Sequence, residues 1–305
     1  MDTSAFSHGP TVLLKRLFVT GAHGFVGQWI QRLAPGIAER HGYRLALPPT
    51  GFELLDPAQV DALLGEHRPD AILHLAAQSN VPQSFTDPEA TFRINLFGTL
   101  RLFEGIKRAG LSPRVAFASS GDVYGKVPEA EMPITEERIP RPRNPYAASK
   151  LAAEALCYQW SRTEGLEVMV ARAFNHIGAG QSNAFVLPSF ACQIAEIKAG
   201  KRAPFIDVGD IDVTRDFTHV ADVIEGYLTL LAQGRAGETY NIASGTDTLI
   251  RDLLGRMLEL AGVDAQIRQD PERFRPAEQR VVRGGNDKIK ALRSEERRVG
   301  KECRL

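Results

Sequence analysis

Cysteine is scarce in this sequence, which has only Cys157, Cys192 and Cys303 among its 305 residues. The three lie far apart and match none of the spacings that bind metal ions, so the sequence predicts no metal site. Cys157 and Cys192 fall within stretches of helical pattern, and we interpret them as buried free thiols. Because unpaired thiols are typical of a reducing compartment, we expect a cytoplasmic protein.

Long apolar runs and an excess of charge are also missing. No run approaches the ~18–20 apolar residues that a membrane-spanning helix needs, and Met1–Thr11 has no apolar core of signal-peptide length. Lys+Arg and Asp+Glu both total 37. Because general nucleic-acid and anionic-membrane binders are normally basic, we expect no nucleic-acid partner and no membrane. An anionic small ligand stays open, since it needs only a few local Arg or Lys side chains.

Strand-like and helix-like stretches alternate along the first half of the chain. Short apolar runs typical of strands lie at Arg16–Thr20, Arg44–Leu47, Ala71–Ala76, Arg114–Ala118 and Glu167–Arg172. Helical patterns lie between them at Gln28–Arg40, Pro57–Leu64, Asp87–Arg108 and Tyr146–Thr163. Such alternation is typical of a parallel sheet with helices on both faces. The predicted fold class is α/β, a Rossmann-type doubly wound parallel sheet with a smaller C-terminal substrate-binding lobe.

Beyond Phe174 the alternation loosens, which predicts the smaller lobe. Elements expected there are helices at Pro188–Ala199, His219–Leu231 and Leu249–Ala261, a strand at Thr239–Ile242, and a polar loop with a short strand at Gly209–Phe217. We predict a dinucleotide-binding domain over 12–174, rejoined by 216–245, and a substrate-binding lobe over 175–215 and 246–292. Because ligands bind at the carboxyl edge of such sheets, this lobe should determine substrate specificity.

Three glycines follow the first predicted strand in the stretch TGAHGFVG. Gly21 permits a tight turn, Gly24 lets backbone N–H groups approach a pyrophosphate, and Gly27 lets helix and strand pack closely. Glycines in a loop alone are weak evidence, and the alternative is a structural turn. Because they stand where a strand becomes a helix, the pattern predicts dinucleotide binding.

The choice between NADPH and NADH is left open by the sequence. The end of the second strand reads LALPPTG, with no carboxylate for a free ribose 2′-hydroxyl and no Arg for a 2′-phosphate. Asp56, after a predicted short strand in ELLDP, is a candidate for accepting a hydrogen bond from the adenine amino group. Its alternative role is the N-cap of a helix before Pro57, and the two roles are compatible.

Tyr146 and Lys150 share one face of a predicted helix in NPYAASK, because they stand at i and i+4. A neighbouring ammonium should lower the pKa of the phenol, which could then exchange a proton with a substrate oxygen. Ser119 and Ser120 end the strand RVAFASS, where a hydroxyl could hold the same oxygen. The alternative is a surface Tyr and Lys on an amphipathic helix. The upstream glycine loop and Ser120 favour catalysis.

Taken together, TGAHGFVG, HLAA (His74–Ala77), SSGDVYG (Ser119–Gly125) and YAASK resemble the extended short-chain dehydrogenase/reductases. The resemblance covers Arg16–Leu292 and implies Ser120, Tyr146 and Lys150 as catalytic residues, with Asn95 in a structural, cofactor-side position. It also implies a nicotinamide cofactor, NADPH or NADH. The implied cofactor-binding residues are Gly21, Gly24, Phe25, Val26, Gly27, Asp56, Leu75, Ala76, Ala77, Tyr146 and Lys150.

FNH (Phe174–His176), VTRDF (Val213–Phe217) and RPAEQR (Arg275–Arg280) resemble the branch of this family that acts on GDP-hexoses. Arg donors suit a diphosphate, and a carboxylate can accept from ribose or guanine. The alternative makes Arg215–Asp216 and Arg275–Glu278 surface ion pairs, which are common and contribute little. The implied substrate-binding residues for a GDP-linked sugar are Ser79, Ser120, Asn175, Arg215, Arg275 and Glu278.

Two activities compete within that branch. One is NAD(P)H-dependent reduction of the C4 keto group of GDP-4-dehydro-6-deoxy-D-mannose to GDP-D-rhamnose, which SSGDVYG and NHIGAGQ favour. The other is GDP-mannose 4,6-dehydration, whose extra acid/base would be Asp122. Another nucleotide-sugar epimerase or dehydratase, and a nicotinamide-sensing binding protein without turnover, are the remaining alternatives.

Two further expectations concern assembly and the C-terminus. The resemblance implies a homodimer formed through the helices at Asp87–Arg108 and Tyr146–Thr163. The family usually continues beyond Leu292 into a Gly-Trp-x-Pro stretch and a final amphipathic helix, whereas residues 293–305 read RSEERRVGKECRL. We interpret this charge-rich stretch as a truncation or a sequence foreign to the fold, with a native solvated tail as the alternative.

Overall fold

The computed structural model describes residues 14–273 and 279–292. Its central feature is a parallel sheet of six strands in the order β2-β1-β3-β4-β5-β9. The strands are β1 (Lys15–Thr20), β2 (Tyr43–Ala46), β3 (Ala71–His74), β4 (Arg114–Ser120), β5 (Val168–Ala173) and β9 (Thr239–Ile242). The order reverses between β1 and β3, which makes their carboxyl ends a topological switch point. The predicted fold class is confirmed.

Helices cover both faces of this sheet. They are α1 (Phe25–His41), α2 (Pro57–His67), α3 (Val81–Thr86), α4 (Pro88–Phe92), α5 (Gly98–Arg108), α6 (Pro145–Thr163) and α8 (Val220–Gln233). One hydrophobic core joins α1 and α8 to the sheet, and a second joins α2, α5 and α6 to its other face. Several helices begin at prolines after a capping side chain, as at Asn144–Pro145, where the Asn144 Oδ1 atom accepts from the Ala147 N–H at 2.7 Å.

Two local predictions were wrong in detail. The helix predicted over Asp87–Arg108 is divided, because α4 and α5 are separated by a π-helical turn at Arg93–Phe97. The short strand predicted before Asp56 is absent, since residues 50–55 form turns and irregular backbone. A π-helical turn is rare and has no distinctive composition, and such turns are found most often at functional sites.

A smaller layer lies beyond the carboxyl end of β5. It contains a three-stranded sheet in the order β10-β8-β6, a two-stranded parallel pair, and two helices. These elements are β6 (Asn175–Ile177), α7 (Val186–Lys198), β7 (Phe205–Val208), β8 (Thr214–His219), β10 (Asp247–Leu249), α9 (Ile250–Ala261) and β11 (Gln266–Gln269). A separate hydrophobic core fills this layer. It brings β6 and β8 to the edge where the central strands end.

None of the helices within the described ranges is long and apolar enough to cross a membrane.

Candidate active site

The carboxyl edge of the central sheet brings the predicted site segments together. The glycine loop follows β1, Leu75–Ala77 follow β3, Ser120 ends β4, and Asn175 comes just after β5. All of these strands are parallel, so their carboxyl ends lie on one edge. The sequence-predicted cofactor, catalytic and substrate segments therefore meet at the switch point.

The glycine loop has the shape that a dinucleotide pyrophosphate requires. Gly21 has a φ of 69°, and a Cβ atom there would lie 2.8 Å from the Ala76 backbone nitrogen. A Cβ atom at Gly27 would lie 2.4 Å from the Ala22 carbonyl oxygen. Gly24 is the N-cap of α1, whose first turn has no acidic residue and no side-chain cap, so its backbone N–H groups stay available to an anion. Phe25 and Val26, the other predicted residues, are the first two of that helix.

Asp56 is confirmed as a helix cap by its contacts. Its Oδ1 atom accepts from the Ala58 N–H at 2.9 Å and its Oδ2 atom from Gln59 Nε2 at 3.0 Å. The hydrogen bonds from Gln59 and Ala58 lower the pKa of the Asp56 carboxyl. The residue remains partly accessible, and its role toward adenine stays a prediction.

The predicted catalytic side chains come from the end of β4 and the first turns of α6. Ser120 extends into a 3₁₀ turn at Gly121–Tyr124, where its Oγ atom accepts from the Asp122 N–H at 3.1 Å. Its hydroxyl also forms a side-chain hydrogen bond with Tyr146. Ser119, the neighbouring candidate, points to the other face of the sheet and donates to the buried carboxylate of Glu154. Ser120 alone of the pair therefore reaches the tyrosine.

The pKa of Tyr146 is raised, so the expected lowering by Lys150 was wrong. Burial of the phenol is the main cause, the nearby Asp122 carboxylate adds to it, and the hydrogen bond from Ser120 acts in the opposite direction. Lys150 does not contribute because its Nζ atom lies over the ring of Phe117, 4.4 Å from the centroid. Burial lowers the pKa of Lys150 to about 8, against the attraction of Cys157 and Glu154.

A buried hydrogen-bond chain fixes the base of the cofactor loop. The Ala76 N–H donates to Thr20 Oγ1 at 3.1 Å, and Thr20 Oγ1 lies 2.7 Å from His74 Nδ1. On the other side, His74 Nε2 lies 3.0 Å from Thr99 Oγ1, which donates to the Asn95 carbonyl at 2.7 Å. Because the Thr99 proton is used there, His74 must carry its own proton on Nε2 and accept on Nδ1 from Thr20. Burial, with the Lys150 charge, lowers the pKa of His74 to about 3, so the ring is neutral.

Asn95 links this region to the catalytic helix. Its Oδ1 atom accepts from the Gln78 N–H at 2.8 Å, and its Nδ2 atom donates to Gln78 O at 3.0 Å and Ser149 Oγ at 2.9 Å. Ser149 in turn donates to the Tyr146 carbonyl at 2.7 Å. The π-helical turn that carries Asn95 thus ties the segment after β3 to the turn bearing Tyr146.

Two of the predicted substrate residues, Asn175 and Arg215, lie on neighbouring strands. Asn175, exposed, is the register partner of Phe217, and half-buried Arg215 stands two residues earlier on β8. Residues two apart on a strand point the same way, so Asn175 and Arg215 share a face of the small sheet. Arg215 Nη1 donates to the Thr214 carbonyl at 2.7 Å. Ser79 is exposed just beyond β3, whereas Arg275, Glu278 and the 293–305 tail lie outside the described residues.

The alternative that Asp216 forms a surface ion pair with Arg215 was wrong. Its side chain is completely buried and accepts hydrogen bonds from Ser244, Gly245 and Gly284. The only signal of its burial in the sequence was its position next to Arg215 on a strand, because successive side chains of a strand point to opposite faces.

Sequence reasoning also missed a buried ion pair behind the catalytic strand. Arg172 Nη2 lies 2.6 Å from Glu154 Oε2, with both side chains 7% exposed. The available signal was the position of Glu154, four residues after Lys150 on the same helix. The pair links α6 to β5 and holds the strand beside Ser120. Cys157 is buried in α6, as predicted, while Cys192 in α7 is only half-buried.

In the described part of the chain, no His, Cys, Asp or Glu side chains form a group of three that could hold a metal ion.

Comparison with known proteins places these features in a family. Residues 18–293 match the family described as GDP-mannose 4,6 dehydratase. The GDP-6-deoxy-D-mannose reductase of Pseudomonas aeruginosa is 51% identical over 91% of this chain and 90% of its own length. A dTDP-glucose 4,6-dehydratase of Streptomyces antibioticus is 33% identical over 81% of this chain and 77% of its own. A solved structure of RMD from Pseudomonas aeruginosa complexed with NADPH superposes with a TM-score of 0.87 and 49% identity, over 91% of this chain and 92% of that one.

Proposed function

Because this chain belongs to the GDP-mannose 4,6 dehydratase family, we propose that it is an NAD(P)H-dependent reductase of the extended short-chain dehydrogenase/reductase type. Its reaction is reduction of the C4 keto group of GDP-4-dehydro-6-deoxy-D-mannose, which yields GDP-D-rhamnose. The observation that carries this proposal is the 51% identity to a GDP-6-deoxy-D-mannose reductase over nine-tenths of both chains. The dehydratases among the relatives are 30–36% identical over 62–86% of this chain.

The cofactor would be held at the glycine loop, and NADPH is favoured because the similar solved structure is complexed with it. Gly24 would let the N–H groups at the start of α1 approach the pyrophosphate, Gly21 and Gly27 keep the loop and the helix close together, and Lys150 would hold the nicotinamide ribose. When bound, the reduced nicotinamide supplies the hydride. The protein's own residues supply the proton and the orientation of the sugar.

Tyr146 is the proton donor in this proposal. Burial and the Asp122 carboxylate raise the pKa of its phenol, which keeps the proton in place until the C4 oxygen acquires charge. Ser120 donates a hydrogen bond to the same oxygen and orients the phenol. Asn175 and Arg215 would hold the diphosphate sugar, and the positions of Arg275 and Glu278 in the sequence suit the nucleoside.

The experiment is a cofactor-oxidation assay with two substrates and product analysis. With GDP-4-dehydro-6-deoxy-D-mannose, we expect consumption of reduced cofactor and formation of a GDP-6-deoxyhexose. With GDP-D-mannose and no added cofactor, we expect no conversion. Failure to reduce the keto-sugar with either NADPH or NADH would reject the proposal.

A second candidate is GDP-mannose 4,6-dehydration, and it rests on Asp122. This carboxylate lies close enough to Tyr146 to raise the pKa of the phenol. An acid/base for the elimination would also need to lie near the predicted proton donor. Under this alternative Asp122→Asn abolishes conversion of GDP-mannose to the keto-sugar. Under the reductase proposal the same variant still reduces the keto-sugar.

We propose in addition that the protein is a cytoplasmic homodimer. Each subunit would be divided into the dinucleotide-binding domain and the substrate-binding lobe predicted from sequence. Three aromatic side chains stand exposed on and beside the helices expected at the interface: Phe85 (62%), Phe97 (47%) and Tyr158 (56%). They belong to α3, the π-helical turn and α6, and α6 packs against both of the other segments. A second copy would remove these rings from water.

A further inference from the structure

Asp216 is the most completely enclosed carboxylate of the smaller layer. Its Oδ1 atom accepts from Ser244 N at 2.8 Å and from Ser244 Oγ at 2.7 Å. Its Oδ2 atom accepts from the backbone N–H groups of Gly245 and Gly284, both at 3.1 Å. Four donors compensate the charge without a cation, since the described residues contain no ion pair to Asp216. Hydrogen bonds to a charged group are stronger than neutral ones, so this carboxylate joins three segments firmly.

The strand that carries Asp216 also carries a predicted substrate residue on its other side. Arg215 faces the same way as its register partner Thr248 and as Asn175, whereas Asp216 faces the opposite way. A hydrogen bond that fixes Asp216 therefore fixes the backbone from which Arg215 projects. The guanidinium of Arg215 needs this support, because a diphosphate is recognised by donors in a fixed geometry.

The third segment joined by Asp216 is residues 279–286, which we name the C-terminal strap. The strap connects β8 to the segment that contains Ile134: Thr214 N donates to Arg280 O at 2.8 Å, and Ile134 N donates to Arg283 O at 2.8 Å. It fits closely, since a Cβ atom at Gly284 would lie 2.5 Å from the Ala243 Cβ atom. The strap directly follows Arg275 and Glu278 in the chain, the two residues expected to reach the nucleoside.

We propose that Asp216 is the positioning residue of the nucleotide-sugar site. It holds β8 in register with the C-terminal strap, and so fixes the backbone from which Arg215 reaches the nucleotide. The inference rests on the proposed function and adds to it a residue that never touches the substrate. Cofactor binding does not depend on Asp216, because the glycine loop and its supporting hydrogen bonds lie in other segments.

The test compares Asp216→Asn with Asp212→Asn, using GDP and NADPH as separate calorimetric probes. Asp212 is a suitable control because it is exposed and pairs with Arg251 at the surface of the same layer. We expect Asp216→Asn to weaken GDP binding about tenfold or more, since an amide cannot accept from all four donors. NADPH binding should be unchanged, KM for the keto-sugar should rise with kcat largely kept, and Asp212→Asn should match the wild type.

Ser244→Ala provides a milder variant, which removes one donor and leaves the charge. It should weaken GDP binding by about twofold to fivefold, and it decides the question if Asp216→Asn folds poorly. Folded variants that bind GDP as tightly as the wild type, or that lose GDP and NADPH together, would overturn the inference alone. A wild-type protein that binds NADPH and does not bind GDP would reject the proposed function and this inference with it.

Discussion

Tyr146 and Lys150 have pKa values shifted in opposite directions, and burial is the main cause of both shifts. Each group is therefore held closer to its neutral form than it would be in water. For the tyrosine this retains a proton for donation. The lysine, with a pKa of about 8, still carries its charge at neutral pH, and this buried charge lies over the ring of Phe117.

Removing the phenolic proton should abolish turnover without affecting nucleotide binding. We expect Tyr146→Phe to reduce kcat by at least about a hundredfold, the range typical of a lost general acid. Tyr158→Phe is the control, because Tyr158 is exposed on the same helix. Steady-state kinetics with the keto-sugar measures both. Near wild-type turnover in Tyr146→Phe would refute the assignment.

Lys150 should make stability depend on pH in the alkaline range. Its pKa is 10.5 in the unfolded chain and about 8 in the folded protein, so the unfolded state binds more protons between these values. The wild type should therefore gain stability relative to Lys150→Met as pH rises from 8 to 10.5, by at most about 3 kcal/mol. Urea unfolding at several pH values measures the difference. If the difference in the free energy of unfolding between the two proteins did not change with pH, the pKa of Lys150 would not be lowered by burial.

Residue types at the site could be predicted from sequence, but their electrostatics could not. Ser120 and Tyr146 meet as the strand end and the YAASK helix indicate. The direction of the Lys150 side chain and the depth of Tyr146 depend on residues distant in sequence, such as Phe117 and Asp122. The burial of Asp216 could not be predicted for the same reason, since its partners lie 28 or more positions away.

At the scale of elements, α1 and the glycine loop before it meet more closely than ordinary side chains permit. The contact is made at Gly27, where even a methyl group would overlap the Ala22 carbonyl. Because the atoms of Ala22 that would be met are backbone atoms, the overlap could be relieved only by moving the helix away from the loop. The shape of the glycine loop would change with that movement.

Gly27→Ala should accordingly destabilise the fold and weaken cofactor binding. We expect a loss of about 1–3 kcal/mol, the usual effect of overpacking. Gly65→Ala is the matched control, because Gly65 lies inside α2 with nothing within 4 Å of an added Cβ atom. That change should stabilise the helix by about 0.5–1 kcal/mol. Thermal unfolding of both variants gives the comparison, and equal stabilities would contradict the packing argument.

Helices and strands with strong periodicity were predicted close to their observed bounds, and interruptions were not. The π-helical turn inside the predicted Asp87–Arg108 helix is stabilised by Asn95, whose partners Gln78 and Ser149 come from two other segments. Local sequence cannot indicate such a turn. The strand predicted before Asp56 was wrong because its apolar residues pack on α5 instead: a Cβ atom at Gly98 would lie 2.8 Å from Leu54.

At the scale of the whole molecule, apolar surface is distributed unevenly. Phe85, Phe97 and Tyr158 are exposed on α3, the π-helical turn and α6, and α6 packs against the other two segments. Leu260 is exposed on α9 in the smaller layer. Isolated exposed apolar residues are common and need no explanation. A group on helices that the family resemblance already assigns to an interface is a stronger indication.

Phe97→Glu should shift the protein toward the monomer, because a carboxylate would be buried against a second copy. Leu260→Glu, at a more exposed position on α9, should leave the assembly unchanged. Sedimentation at several concentrations measures both. A dimer that persists in Phe97→Glu would place the interface elsewhere.

The doubly wound sheet was predictable as a whole because its strands and helices alternate in sequence. The arrangement of the smaller layer was not, since β6, β8 and β10 come from three separate stretches, with strands of other sheets between them in the chain. Their register, which places Asn175 and Arg215 on one face, depends on long-range packing.

The hydrogen-bond chain through His74 has a consequence for kinetics. Each hydrogen bond between Ala76 and Asn95 has a fixed donor and a fixed acceptor. The His74 ring, with a pKa of about 3, does not titrate under physiological conditions. The protonation of this hydrogen-bond chain, which links the segment after β3 to the π-helical turn, therefore stays the same from mildly acidic to mildly alkaline solution. An acid limb in a rate profile measured over that range should therefore report on groups other than His74.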